Sequence, residues 1–391
     1  MGSAKQQWME EQERGWASID KNVCAECFGD DALKEFIRGH VANSYCDYCG
    51  QSSKSNALAA SMDDVLELIA ESIYSEWEDP NDRVGWDSRE GGWMGVDVTD
   101  TFDLIKYELD LGIENEELYD DIIDSFGDQG WCQRDPYSLA PDEELTFNWR
   151  AFVRLVKHHN RYFFEHVIDN ADVYEPQYYP VGILDSLSDI VSQLGLVRSL
   201  ADGTLLYRGR SHSTQKGYSQ VSDLGPPDEN NAKYANRMSA AGIPMFYGAT
   251  DDATVLAELT EHALYVTIGE FRTLRDLNLL DLTQIPPVPS IFDRERRHLR
   301  PPLMFLRRFM DDFTQKVEHD GREHIDYVPT QVVTEYFRYV RKLDGILYPS
   351  ARRCGGHACV LFITQKECIE SGEQTNDDKV LVLVTSRVRA R

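Results

Sequence analysis

The stretch NRMSAAGIPMFYGATDDATVLAEL, Asn236 to Leu259, decides how the second half of the chain folds. Its apolar and aromatic run IPMFYGAT reads as a strand that ends near Phe246 and Tyr247, and Gly248 to Thr250 read as a turn. Asp251 or Asp252 caps a helix start, which Ala253, Val255, Leu256, Ala257 and Leu259 continue. Glu258 sits on that helix, one turn from Val255 and His262, so its carboxylate need not point straight into solvent. Taken alone, it reads as a solvated helix carboxylate; its neighbours elsewhere in the chain decide otherwise.

From about residue 203 onward the same pattern repeats. GTLLYRGR, LYVTIGEF, DGILYPS, ACVLFIT and KVLVLVTS are further short strand-like runs. MFLRRFMDDFTQKVE and TQVVTEYFRYVRKL carry the helical period between them. Strands and helices in this order predict an α+β domain with mixed or antiparallel sheets.

Upstream the reading changes to mainly helical. SMDDVLELIAESIYSEW begins with Ser61 and Asp64 in capping-box spacing; DTFDLIKYELDLG, NEELYDDIIDSFG and NWRAFVRLVKHHNRYFFEHVID also read as helices. EDPNDRVGWDSREGGWMG reads as a long loop. A boundary is expected in NADVYEPQYYPVG, followed by a linking helix, ILDSLSDIVSQLGL. The expected organisation is residues 1–55, 56–175 and 176–391.

Of the eight cysteines, four form two C-x2-C pairs, Cys24 with Cys27 and Cys46 with Cys49. Each pair offers two thiolates to one tetrahedral zinc, and four sulfur ligands leave no position for water, so the expected role is structural. Cys132, Cys354, Cys359 and Cys368 lack such spacing and read as small buried hydrophobes.

The formal charge is −27, and residues 1–150 hold 35 acidic against 11 basic side chains. That excess repels phosphates, so nucleic acid is not the expected partner of this half. No run of 18 apolar residues is present, so no membrane span is expected. The start, MGSAKQQWMEEQERGW, has no apolar signal core, and Gln6 breaks the myristoylation pattern. A cytoplasmic location is expected.

LYRGR, NRMSAAGIPMFYGATDDATVLAEL and DGILYPSAR occur in the order in which the RES domain family carries them, and residues 200–390 resemble that family. The first half, through its cysteine pairs and FVRLVKHHNRYFF, resembles the HEPN/RES N-terminal domain often joined to it. The resemblance implies an ADP-ribosyltransferase-like fold and NAD+ as substrate. It implies a toxin or defence effector that cleaves the nicotinamide–ribose bond, or a relative that transfers ADP-ribose to a macromolecule. An antitoxin or regulatory protein is then a candidate partner; cover of the site by the acidic half, or activation by assembly into a homo-oligomer, are the alternatives. The family's Arg, Glu and Ser fall on Arg208, Glu258 and Ser350. A second family Arg falls on Arg237, preceded by Asn236 where the family more often has Gly. The family Tyr is either Tyr218 or Tyr247.

The chemistry agrees with these positions. Arg208 and Arg237 offer planar, permanently charged forks to a pyrophosphate. Glu258 can accept a ribose hydroxyl and offset the positive charge of an oxocarbenium-like transition state. Ser350 offers a hydroxyl to phosphate, ribose or nicotinamide, and Tyr218 or Tyr247 offers a ring to the pyridinium. Water, phosphate or a protein side chain would serve as acceptor. Two further readings stay open: a HEPN-type ribonuclease acting through Arg161 and His166, and a sensor that binds NAD+ without turnover.

Overall fold

In a computed structural model of the 391-residue chain, the structure describes Met9, Glu11 and residues 13–89, 91–162, 180–259, 263–315 and 321–390. The chain divides into two compact units, Met1–Glu144 with Val288–Met304, and Leu145–Pro287 with Phe305–Arg391.

In the first unit β1 (Asn22–Cys24) pairs antiparallel with β2 (Ala59–Ser61). Next come β3 (Trp77–Glu78), a hairpin of β4 (Trp86–Asp87) and β5 (Gly92–Trp93), then β6 (Thr99–Asp100) and β7 (Gly130–Gln133). β7 lies between β3 and β6. The helices Asp31–Gly39, Met62–Glu76 and Glu116–Phe126 begin at Asp30, Ser61 and Asn115, whose side chains accept from the amides of Leu33, Asp63 and Leu118. These bonds satisfy donors that a helix start leaves open. Gly127 ends the third helix at φ 70°, a conformation that favours glycine. The core gathers Val23, Leu33, Ile37, Leu66, Ile69 and Trp131. Ile291 and Phe292, far along the sequence, are buried in the same cluster.

The expected boundary in residues 170–180 falls largely outside the described residues, and the compact units divide at Glu144 and Leu145. Trp149, Phe152 and Val156 pack into the second unit's core, so the helix Pro141–His158 belongs there for most of its length.

The second unit is built on β8 (Val197–Leu200), β9 (Leu205–His212), β10 (Phe246–Ala249), β11 (Tyr265–Thr273), β12 (Leu277–Asp281), β13 (Gly345–Pro349), β14 (His357–Leu361), β15 (Cys368–Glu370) and β16 (Leu381–Ala390). They form a nine-stranded sheet in the order β15-β16-β11-β9-β10-β14-β13-β12-β8. Neighbours are antiparallel except β12–β13 and β15–β16, so the sheet is mixed and the α+β expectation is met. One buried cluster joins Ile346 and Val360 of the sheet to Phe152, Leu187, Phe309 and Phe337 of four helices. Another holds Leu206, Phe246, Phe271 and Leu361 with Val221 and Leu224. Six strands match the predicted runs. β8, β12 and β15 do not: β8 is largely exposed and β15 has three residues, so neither shows a period-two pattern. No helix among the described residues is long and apolar enough to cross a membrane.

Candidate active site

Sheet register assembles the site. Tyr207 on β9 faces Ala249 on β10, Ala249 faces Ala358 on β14, and Ala358 faces Tyr348 on β13. Residues opposite one another across a ladder share a face, so this row presents two aromatic rings flanking two small side chains. All four line a cavity of about 740 Å³. Tyr247, two residues before Ala249, lines it as well. The amide of Met238 donates to the Tyr247 phenol oxygen at 3.2 Å, and the Ser239 hydroxyl lies 3.0 Å from it. Burial pushes the phenol up to about 12 despite these bonds, so it stays neutral at pH 7.

The chain turns from β10 into the helix Asp252–Glu258. Asp251 caps it, accepting from the Thr254 amide at 2.8 Å and the Thr254 hydroxyl at 2.7 Å. Burial alone would raise the Asp251 carboxyl; the Thr254 bonds and the Arg353 charge outweigh it and hold it below the usual range. The helix packs closely on β9 at Gly209, where a Cβ would lie 2.6 Å from Val255 and 2.7 Å from Leu259. A side chain there would push the helix off the strand, and Glu258 with it.

Glu258 lines the cavity with its side chain 38% exposed. The Ser350 hydroxyl donates to its Oε1, and Arg352 Nε lies 3.9 Å from its Oε2. Ser350 thus joins the site through Glu258. Its hydroxyl oxygen in turn accepts from the amides of Arg352 and Arg353, both at 3.2 Å. The expected pairing of carboxylate and hydroxyl from distant segments is present.

Arg208 also lines the cavity. It is only 7% exposed, its guanidinium carbon is 5.4 Å from the Phe246 ring centre, and its Nη1 has no hydrogen-bond partner among the described residues. Burial, then the like charge of Arg210, pushes the guanidinium down to about 9. A buried cation without its full set of partners is costly, and an anion in the cavity would offset that cost. Arg208→Met is therefore expected to stabilise the fold by on the order of 1–3 kcal/mol while weakening anion binding. Thermal unfolding with and without added ADP-ribose checks this: the ligand should raise the midpoint of the wild type but not of the variant.

Two sequence candidates lie elsewhere. Arg237 donates from Nη1 to Phe313 O and from Nη2 to Gln315 O, both at 2.6 Å. It satisfies carbonyls at the end of the helix Arg300–Thr314 and does not reach the cavity wall, so the second-clamp assignment is not supported by its position. The unusual Asn236 does line the cavity, in a turn closed by backbone bonds to Ser239 and held by Gln331 Nε2 at 2.8 Å. Tyr218 bonds through its amide to Thr267 and meets the His212 ring edge-on; of the two tyrosines, Tyr247 lines the cavity. The wall adds Arg210, Lys233 and Tyr348, which sequence reasoning missed. Arg210 had a signal, its two-residue spacing from Arg208 on one strand. Lys233, in an irregular loop, had none.

Of the ribonuclease pair, Arg161 donates to the carbonyls of Val156 and Lys157, each at 3.4 Å, just past its own helix end. His166 lies outside the described residues.

In the first unit, the sulfurs of Cys24, Cys27, Cys46 and Cys49 all lie within 4.8 Å of one another. The Cys24–Cys27, Cys24–Cys49 and Cys27–Cys46 separations are 3.7, 3.5 and 3.6 Å. Tetrahedral zinc with sulfur ligands requires about 3.8 Å between sulfurs. The Cys24 amide donates to Cys46 Sγ at 3.3 Å, which favours a thiolate.

Comparison with known families gives two matches. Residues 40–170 match the HEPN/RES N-terminal domain 1 and residues 206–381 match the RES domain. No curated protein matches the chain. Among solved structures the chain is similar to one described as the crystal structure of the M. tuberculosis MbcT-MbcA toxin-antitoxin complex, at 14% identity and a TM-score of 0.29. That match covers 53% of this chain and 93% of the other, and at so low a score it bears no weight below.

Proposed function

The chain carries a RES domain behind a HEPN/RES N-terminal domain 1, and on that premise we propose that it cleaves the nicotinamide–ribose bond of NAD+. One observation carries the proposal beyond the family. The cavity wall brings together a buried arginine, whose Nη1 has no hydrogen-bond partner among the described residues, and a glutamate bonded to a serine hydroxyl, from three separate segments.

Arg208, with Arg210 and Lys233 on the same wall, offers positive charge to the pyrophosphate. The Tyr247 and Tyr348 rings offer a flat surface to the cationic nicotinamide. Ser350 occupies Glu258 Oε1, which leaves Oε2 to accept a ribose hydroxyl. As the C1′–N bond breaks, its electron pair goes to the pyridinium nitrogen and the ribose takes on oxocarbenium character. The Glu258 carboxylate offsets that charge. Water then adds to C1′ and loses a proton, giving ADP-ribose and nicotinamide. Inorganic phosphate as acceptor gives ADP-ribose 1″-phosphate, and a macromolecular acceptor gives a labelled partner.

A mass-resolved product assay with NAD+, water and phosphate present tests the reading. Nicotinamide should appear in step with one ADP-ribosyl product, whose mass identifies the acceptor. NAD+ left intact by the wild-type chain would reject the proposal, and saturable binding without turnover would favour a sensor.

We also propose that Cys24, Cys27, Cys46 and Cys49 hold one zinc ion. Their number, chemistry and spacing fit it. With four sulfur ligands the ion supplies folding free energy rather than catalysis.

A further inference from the structure

We propose that Arg353 is a positioning residue that holds Glu258 and Ser350 in register by clamping the loop after β13 to the start of the helix that carries Glu258. The inference rests on the reading of Glu258 and Ser350 given above.

Arg353 does not line the cavity, and its side chain turns instead to the far end of the helix Asp252–Glu258. Its Nη1 donates to both Asp251 carboxylate oxygens, at 2.8 and 2.9 Å, and to the Thr254 hydroxyl at 2.8 Å. Asp251 is the cap of that helix and Thr254 is fully buried in its first turn. The loop itself is tightly closed. Ser350 N donates to Gly356 O at 2.8 Å, and Gly356 N donates to Arg353 O at 3.0 Å. At Gly356 a Cβ would lie 2.5 Å from Thr254 Oγ1, so loop and helix start are in close approach.

Both ends of one short helix are therefore tied to one loop. Arg353 holds the beginning through Asp251 and Thr254, and Ser350 holds the end through Glu258. Seven residues of helix span about 10 Å, so release at one end lets the other pivot. The Arg353 and Asp251 side chains are 40% and 38% exposed, so the tie acts through position rather than ion-pair energy, and a displacement of about 1 Å at a reacting group can cost up to about 10²-fold in rate. Substrate affinity, set largely by the cationic wall, has no such dependence on the clamp.

Steady-state kinetics of nicotinamide release by the full chain test this. Arg353→Ala is expected to lower kcat at least about tenfold and leave KM for NAD+ within about threefold. Arg353→Lys should restore part of the loss, because all the contacts come from one nitrogen and an ammonium can meet Asp251, but on a shorter side chain that is more strongly hydrated. Asp251→Ala should act in the same direction, and the double variant should be no worse than the more damaged single one, because both remove the same tie. Unchanged kcat in Arg353→Ala, or a loss confined to KM, overturns the proposal.

Hydrogen exchange reads the clamp without turnover. The Thr254, Arg352 and Gly356 amides should exchange at least about tenfold faster in Arg353→Ala, with amides of β9 and β11 unchanged. Equal exchange at those three amides overturns the clamp. A wild-type chain that leaves NAD+ intact rejects the functional reading instead, and the exchange result then decides the clamp by itself.

Discussion

Glu258→Gln should lower the rate of nicotinamide release about 10³-fold, with a smaller rise in KM for NAD+. The replacement keeps the shape of the side chain and an oxygen for the Ser350 hydroxyl, so the local hydrogen bond survives. What it removes is the negative charge, which is needed as the ribose becomes an oxocarbenium-like species, and the second oxygen as acceptor for a ribose hydroxyl. The ion pair with Arg352 is also lost. At 3.9 Å between side chains more than a third exposed, it is expected to contribute little to stability. Melting temperature therefore serves as the control and should barely move. Ser350→Ala should cost less, about tenfold, because it removes a group that orients the carboxylate rather than the charge itself. Equal turnover by the wild type and Glu258→Gln would remove Glu258 from the chemistry.

The Glu258 helix was legible because its signals are local. An aromatic strand and an aspartate cap follow one another within a few residues, although the strand runs on through Gly248 to Ala249, past the expected end near Tyr247. Ser350 at the end of β13 was legible only through the family pattern; its bond to Glu258 spans 92 residues and no spacing rule reaches that far. That Tyr247 lines the cavity depends on the pairing of β10 with β9 and β14, which no local spacing reveals. Arg237 differs from both. Its backbone is next to cavity residues, but two carbonyls at a helix end draw its side chain away. The buried pair Ile291 and Phe292 lies among prolines and charges, in TQIPPVPSIFDRERR, and no periodicity marks it as part of the first unit's core. The capping box expected at Ser61 and Asp64 is present only in its serine half, with Ser61 bonded to the Asp63 amide.

Removal of zinc should unfold the cysteine-bearing part of the first unit. Cys24 and Cys46 are not on a detachable knuckle: both are buried in the cluster that contains Val23, Leu33, Ile37 and Leu66. The β1–β2 pairing, Asn22 to Ser61 and Cys24 to Ala59, ties the same residues to the start of the helix Met62–Glu76. Without a metal, four sulfurs within 4.8 Å of one another must be protonated or repel one another. Structural zinc in small peptides supplies about 10–16 kcal/mol at pH 7, which matches or exceeds the whole stability of a typical domain, about 5–15 kcal/mol. The purified chain should therefore contain about one zinc ion by elemental analysis. A strong chelator should then abolish amide protection in the helix Asp31–Gly39, which lies between the two cysteine pairs. Cys46→Ser should do the same without chelator, since it removes a ligand from the buried side of the cluster. The nine-stranded sheet has its own buried clusters, around Phe309 and around Phe271, and β9 and β11 should retain their protection. Full protection of Asp31–Gly39 in protein shown to be free of metal would mean that the four thiols pack as an ordinary part of the core and that zinc has no structural role there.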